Sequence, residues 1–127
     1  MEKNNYTLNI EEFSLYLQAE KIFSEGTILL YKTVLERFFQ FCSQNQNELV
    51  LPKTWRYSDI RVRDLEAFLA TDKKEKQRFH ETQVTYLSGI RSFFRYLVEK
   101  NFLETNPFQH YVLSRGFREM ILIDDAI

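Results

Sequence analysis

The stretch from Thr82 to Leu97 constrains the fold of this chain more than any other part of its sequence. Its apolar residues recur at intervals of three and four, which is the spacing of one face of an α-helix. Asn106-Pro107 follows soon after, and a residue before proline disfavours the helical conformation. The chain of 127 residues holds only three Gly and two Pro. So few helix breakers favour long helices joined by few turns.

The same spacing predicts three further helices upstream, and together they form an all-α bundle. We expect helix 1 from about Ile10 to Lys21 and helix 2 from Glu25 to Gln44, with Ser24 as its N-cap. Helix 3 is expected over about 61–71 and helix 4 over about 81–100. The charged residues 72–78 are expected to form a turn. In the connection before helix 3, Trp55 either closes one edge of the core or stacks on a nucleic-acid base.

Composition narrows the class of protein. Hydrophobic residues make up 44% and aromatic residues 16%, which is ample for a packed core. The single cysteine, Cys42, cannot form an intramolecular disulfide and is expected to be a core residue. No apolar run approaches the ~18 residues of a membrane span, so we expect a cytoplasmic protein without membrane partners. No Gly-rich phosphate loop, Cys/His metal spacing or serine nucleophile elbow occurs, so no cofactor or metal is expected.

Charge is distributed unevenly along the chain although the net charge is only −1. Residues 1–51 carry −3, residues 52–100 carry +4 and residues 101–127 carry −2. A locally basic segment is compatible with a phosphate-binding surface. A solvated charged face explains the same distribution.

Helix 4 holds the candidate functional residues. Projection at about 100° per residue predicts a buried side and a side of small and hydroxyl-bearing residues. The buried side holds Val84, Leu87, Ile90, Phe94, Leu97 and Val98, and the other side holds Thr82, Thr85, Gly89, Ser92 and Tyr96. Arg91 and Arg95 lie on one border, and Tyr86 and Phe93 on the opposite one.

Three of these residues have two interpretations each. Gly89 costs about 1 kcal/mol relative to Ala inside a helix, which indicates close approach either to DNA or to another helix. Arg91 either contacts DNA or pairs with an acid on a neighbouring helix. Tyr86 either contacts DNA or lies at the rim of the core.

Several phrases, in order and at matching spacing, resemble the SAM-like core-binding domain of tyrosine recombinases and phage integrases over residues ~10–108. Helix 1 carries FSLYL at 13–17 and helix 2 opens with SEGTI at 24–28. Helix 2 continues with Tyr31, Leu35, Phe38 and Phe41 in the pattern YxxxLxxFxxF. Helix 3 carries DLEAFLA at 64–70, and helix 4 carries IRSFFRYL at 90–97, followed by Asn106-Pro107.

This resemblance implies a single four-helix SAM-like bundle over residues 1–108, with 109–127 a linker toward an absent catalytic domain. In that family the domain forms half of a clamp on double-stranded DNA, at a recombination half-site, and other recombinase subunits are partners. Its second and fourth helices face the major groove. The implied DNA-binding residues are Thr27, Lys32, Thr33, Thr82, Thr85, Tyr86, Gly89, Arg91 and Arg95.

The chain also departs from the full-length pattern of that family. Strand exchange there requires a second domain with catalytic arginines, an HxxR box and a tyrosine nucleophile, and no HxxR occurs here. We therefore expect a non-catalytic DNA-binding domain of a site-specific recombinase, either a fragment or a stand-alone remnant. Two alternatives stay open: a helical protein-interaction module, which the acidic first third and Leu29 favour, and a stand-alone DNA-binding regulator.

Overall fold

Four α-helices make up the fold in the computed structural model, which describes residues 5–44, 51–76 and 80–112. They are α1 (Tyr6–Glu20), α2 (Glu25–Gln44), α3 (Val62–Lys76) and α4 (His80–Glu99), and a 3-10 turn covers Tyr57–Asp59. These described residues contain no β-strand, so the predicted all-α four-helix class is confirmed. The predicted linker lies largely outside the described residues, since 113–127 are not among them.

The ends of the helices follow local capping chemistry. The side chain of Asn5 accepts a hydrogen bond from the Leu8 amide at 3.2 Å, so α1 begins one turn earlier than predicted. The Ser24 hydroxyl accepts from the Thr27 amide at 3.1 Å, as predicted for the N-cap of α2. Asn101 takes a left-handed conformation (φ 66°) after α4, and the Phe102 amide donates to the Leu97 carbonyl. This cap ends α4 before Pro107 is reached.

The predicted turn at residues 72–78 is wrong over most of its length, because α3 continues to Lys76. The segment 72–76 contains Asp, Lys and Glu but neither Gly nor Pro. Lys and Glu are good helix formers, so a run of charge is compatible with a helix that needs no apolar face. Residues 77–79 lie outside the described part of the chain.

An aromatic core holds the helices together. Phe13, Phe39 and Phe93 are almost completely inaccessible, and the Phe13 and Phe93 rings meet edge to face at 5.3 Å. The Trp55 ring stacks 5.6 Å from Phe39, and its indole N–H donates to the Ser43 hydroxyl at 3.2 Å. Trp55 therefore closes the core edge, and the alternative base-stacking role is excluded by its burial. Cys42 is also buried, as predicted.

The buried side of α4 is wider than the single face that its sequence predicts. Tyr96 and Phe93 were placed outside it, yet they are 5% and 0% exposed, whereas Val84 is 41% exposed. The reason is that α4 packs against both α1 and α2, so two of its sides are covered. A projection that assumes one apolar face cannot anticipate this.

After α4 the chain folds back on the bundle through what we call the C-terminal strap, residues 106–111. Phe108 is fully buried, with its ring 4.9 Å from that of Phe94. The Asn106 side chain donates to the Arg91 carbonyl and accepts from the Phe108 amide, which fixes the turn after Pro107. The Tyr111 hydroxyl donates to the Glu66 carboxylate of α3 at 3.1 Å.

Candidate nucleic-acid interface

Helices α2 and α4 meet at Gly89. A Cβ atom at this position would lie 2.7 Å from Cδ1 of Tyr31, closer than van der Waals contact allows. Six residues further along α2, the Arg37 guanidinium meets the hydroxyl of Tyr86, which precedes Gly89 in α4. The two helices therefore run in opposite directions where they touch. Of the two interpretations of Gly89, close helix packing is the one that the geometry supports.

One side of α4 carries a strip of small hydroxyl-bearing residues that ends in an arginine. Thr85, Ser88 and Ser92 are half-buried, and Arg95 is exposed. Their spacing of three and four residues aligns them along the helix axis. No acidic residue occurs from 82 to 98, and Glu99, one turn after Arg95, lines a cavity together with Ser92 and Arg95.

A matching side of α2 lies beside this strip. Leu30, Thr33 and Arg37 follow one another at helical spacing, and none of them is buried. Arg37 on this side donates to the hydroxyl of Tyr86 in α4, so this side of α2 borders α4. We call this surface the α2–α4 face, and it consists of Thr27, Leu30, Thr33, Arg37, Thr85, Ser88, Ser92 and Arg95.

The positive charge of Arg95 is positioned over the junction of α4 with α1 and α2. Arg95 lines a cavity together with Tyr16 and Glu20 of α1 and Phe23 of the following loop. Burial raises the pKa of the Tyr31 hydroxyl, and the charge of Arg95 acts in the opposite direction. Glu99, one turn further along α4, accepts a hydrogen bond from Tyr16 of α1 at 3.2 Å. That bond directs the nearest carboxylate of α4 toward α1.

The nine residues predicted to bind DNA do not form one surface. Thr27, Thr33, Thr85 and Arg95 belong to the α2–α4 face, and the half-buried Thr82 precedes them on α4. Lys32 lies on the opposite flank of α2, where its ammonium group is 3.2 Å from the Glu11 carboxylate of α1.

Three other predicted residues lie outside the α2–α4 face: two are buried and one binds the C-terminal strap. Tyr86 is 3% exposed and Gly89 is buried, so both lie under the surface. Arg91 donates to the backbone carbonyls of Phe108 and Tyr111, so it holds the C-terminal strap. Its predicted alternative, pairing with an acid on a neighbouring helix, is wrong because these partners are carbonyl groups. Arg91, the first arginine of the IRSFFRYL phrase, is thus a structural residue in this chain.

Four residues of the α2–α4 face were not among the nine predicted DNA-binding residues: Leu30, Arg37, Ser88 and Ser92. Ser88 could have been found, because it stands three residues after Thr85 and its side chain is as small as that of Ser92. Arg37 could not, since its position depends on Tyr86 in α4 and Phe68 in α3, far away in the sequence.

Hydroxyl groups and guanidinium groups of this kind bind anionic oxygen atoms and the edges of bases. In the described part of the chain no three His, Cys, Asp or Glu side chains come together as metal ligands would. No helix within those residues has the length and apolar character to cross a membrane. The α2–α4 face thus combines hydroxyl and guanidinium donors on one side of the bundle.

Fold and face together define a helical domain with a hydroxyl-rich, cationic surface. The sequence model of the family described as phage integrase, N-terminal SAM-like domain, matches residues 10–101. The chain belongs to this family.

The relatives are bacterial recombinases. The tyrosine recombinase XerC of Anoxybacillus flavithermus is 34% identical over 108 residues, which cover 85% of this chain and 33% of that protein. XerC of Herpetosiphon aurantiacus is 34% identical over 98 residues (77% and 29%), and XerC of Leptospira interrogans is 29% identical over 97 residues (76% and 29%). The chain thus spans about a third of the length of these curated relatives. A search of solved structures finds no match.

Proposed function

We propose that this chain is the DNA-binding, core-binding domain of a site-specific tyrosine recombinase or integrase, and that it has no catalytic activity by itself. The observation that carries the proposal is the α2–α4 face, where small hydroxyl-bearing residues and Arg95 lie on the two helices that face DNA in this family. Membership of the phage integrase family supports it. The domain would position a recombinase on a recombination half-site during DNA integration or recombination.

Short side chains on the face allow the backbones of α2 and α4 to approach the duplex closely. The major groove, about 12 Å wide, admits one α-helix. Hydroxyls of Thr33, Thr85 and Ser88 would donate to phosphate or base atoms, and Arg95 would neutralise a phosphate. Affinity would therefore depend strongly on salt concentration, because each neutralised phosphate releases counterions.

The other predicted contact residues have secondary roles in this proposal. Lys32 would reach the DNA backbone only from the margin, in competition with Glu11. Tyr86, Gly89 and Arg91 would act indirectly, by fixing the positions of α2, α4 and the strap. The division into a domain at 1–108 and a linker at 109–127, and the contact with other recombinase subunits, stay predictions.

The test is an amide-shift titration of the labelled protein with a short mixed-sequence duplex at low and moderate salt. We expect shifts concentrated in 27–37 and 82–95 that fade as salt increases. Arg95→Ala should reduce the slope of log affinity against log salt by about 1. Arg63→Ala, which removes an arginine from the exposed side of α3, is the matched control and should leave the slope closer to that of the wild type. A folded spectrum without shifts at any salt would refute DNA binding.

One observation favours a second candidate, a protein-interaction surface. Leu8 and Leu15 lie two turns apart on α1 and are 51% and 56% exposed, although apolar side chains of this size are usually covered. Shifts confined to α1 on addition of a partner protein, with none on addition of DNA, would favour this candidate.

A further inference from the structure

Leu30 is the one apolar side chain of the α2–α4 face, since every other member of that face carries a hydroxyl or a guanidinium group. It lies about one turn after Thr27 and one turn before Thr33 on α2. Its side chain is half-buried and packs against the hydrophobic core. The core therefore holds part of this side chain, and the rest is presented among the hydroxyl groups.

Contacts between α2 and α4 hold the backbone of α2 around Leu30. The next residue, Tyr31, meets Gly89 of α4 so closely that a Cβ there would clash with its ring. Two turns further on, Arg37 donates to the hydroxyl of Tyr86. With its backbone fixed and its side chain partly packed, Leu30 would lose little conformational freedom when a ligand covers it.

The chemistry of the DNA major groove gives such a residue a specific partner. Hydroxyl and guanidinium groups read the donors and acceptors of the base edges, but they do not read the C5 methyl group of thymine. Apolar side chains recognise that methyl group by van der Waals contact. Residues 26–35 of α2 contain no Asp or Glu, so this part of the helix carries no carboxylate to repel phosphates.

The neighbouring leucine of α2 has different surroundings. Leu29 is 63% exposed and lines a cavity with Lys21 and Lys32. Lys32 is the residue that meets Glu11 of α1, so this cavity lies on the α1 flank of α2. Of the two adjacent leucines, only Leu30 belongs to the side that borders α4.

We propose that Leu30 is a specificity-determining residue of the DNA-binding surface, and that the exposed part of its side chain contacts the C5 methyl group of thymine in the major groove. The inference rests on the proposed function, since it names what one residue of the same face recognises. It predicts a preference for thymine that depends on an apolar side chain at position 30.

The test uses two short duplexes that differ only in this methyl group. One consists of alternating dA·dT pairs, and in the other deoxyuridine replaces every thymidine, which leaves all hydrogen-bonding groups of the bases in place. Every base pair of the first duplex presents the methyl group, so the natural target sequence need not be known. Fluorescence anisotropy at low salt gives the affinity of the complete chain for each duplex. We call the ratio of the two affinities the methyl effect.

Wild-type protein should bind the thymine duplex about fourfold more tightly, which corresponds to the ~0.8 kcal/mol of one buried methyl-sized group. Leu30→Ala should abolish the methyl effect. Leu30→Met keeps an apolar side chain of similar volume and should retain most of it. Leu29→Ala, the matched control, removes the same atoms from the adjacent position and should leave the methyl effect unchanged.

Loss of folding cannot imitate this result. Both affinities are measured with the same protein, so an unfolded fraction cancels from their ratio. Urea unfolding verifies that each variant is folded. If Leu30→Ala is not folded, Leu30→Gln replaces it, because it keeps the length of the side chain, ends in an amide and should also abolish the methyl effect. A purely structural Leu30 would lower the urea midpoint and leave the methyl effect intact.

The outcomes separate the inference from the proposed function. Wild-type binding without a methyl effect, or binding to a mixed-sequence duplex alone, would overturn the inference and leave the proposed function standing. A methyl effect that survives Leu30→Ala, or that Leu29→Ala abolishes equally, would also overturn it, because the preference would then not depend on Leu30 in particular. Absence of wild-type binding to any of these duplexes would overturn the proposed function itself.

Discussion

Replacement of Gly89 by alanine tests how closely α2 and α4 pack. The added Cβ would lie 2.7 Å from Cδ1 and 2.9 Å from Cγ of Tyr31. The ring cannot easily move away, because it is 7% exposed and Phe23 lies behind it at 5.9 Å. Overpacking of this kind costs about 1–3 kcal/mol. Alanine regains about 1 kcal/mol of helix propensity relative to glycine. We therefore expect a net destabilisation of about 1 kcal/mol, and at most about 2 kcal/mol.

Gly26→Ala is the matched control, because the same substitution there meets no close contact. A Cβ at Gly26 would lie 3.9 Å from the Ser24 hydroxyl oxygen, which is ordinary contact. We expect this variant to be stabilised by about 0.4–1 kcal/mol through the reduced freedom of the unfolded chain. Urea unfolding, with a slope of about 1–3 kcal/mol per molar, should separate the midpoints of the two variants clearly.

A double variant shows whether the clash with Tyr31 is the cause. In a Tyr31→Leu background the Cβ added by Gly89→Ala has no ring to meet, so this substitution should lose most of its cost. The reasoning is refuted if Gly89→Ala and Gly26→Ala stabilise the protein equally, because helix propensity alone would then decide both.

Three further predictions concern the buried Asp64 and Cys42 and the half-buried Arg91. Burial raises the pKa of the Asp64 carboxyl above its usual 3.8, and among the described residues its Oδ1 has no hydrogen-bond partner. Between the pKa of the unfolded chain and the raised pKa of the native protein, the native state binds more protons than the unfolded state. The free energy of unfolding should therefore fall as pH rises through that window, and Asp64→Asn should remove this dependence in urea unfolding at several pH values. Burial, aided by Asp64, raises the pKa of the Cys42 thiol, so alkylation should occur only when the fold opens and should accelerate with urea; rapid labelling of the native protein would contradict this. Arg91→Ala should lower stability by about 1–3 kcal/mol and accelerate hydrogen exchange at Phe108 and Tyr111, and unchanged exchange there would show that the strap does not depend on Arg91.

The sequence predicted those features that local chemistry determines. The bounds of α2 agree with the prediction because Ser24 caps its first turn and a broad apolar stripe follows. The end of α3 was wrong because charged residues were taken to favour a turn, whereas Lys and Glu favour helix. Local pattern is thus reliable for the existence of helices and less so for a helix end that lacks a Gly or Pro.

The candidate surface was harder to predict because it depends on which helices meet. Arg91 and Arg95 look equivalent in the sequence, yet Arg95 is exposed and Arg91 binds the carbonyl of Phe108, seventeen positions later. Gly89 had two interpretations until the position of Tyr31 was known. Such pairings are long-range, and helical periodicity carries no information on them.

The C-terminal strap has a consequence for anything connected to the chain beyond it. Because Phe108 is buried and Arg91 binds the Tyr111 carbonyl, residues 106–111 are fixed to the bundle and do not lengthen a connection to a further module. The length of a flexible linker to such a module would be counted from Val112 and not from the end of α4. A shorter linker raises the effective concentration of the module that it connects, roughly as the −3/2 power of linker length. The guanidinium of Arg91 would thus set the effective length of any connection that leaves the bundle after residue 111.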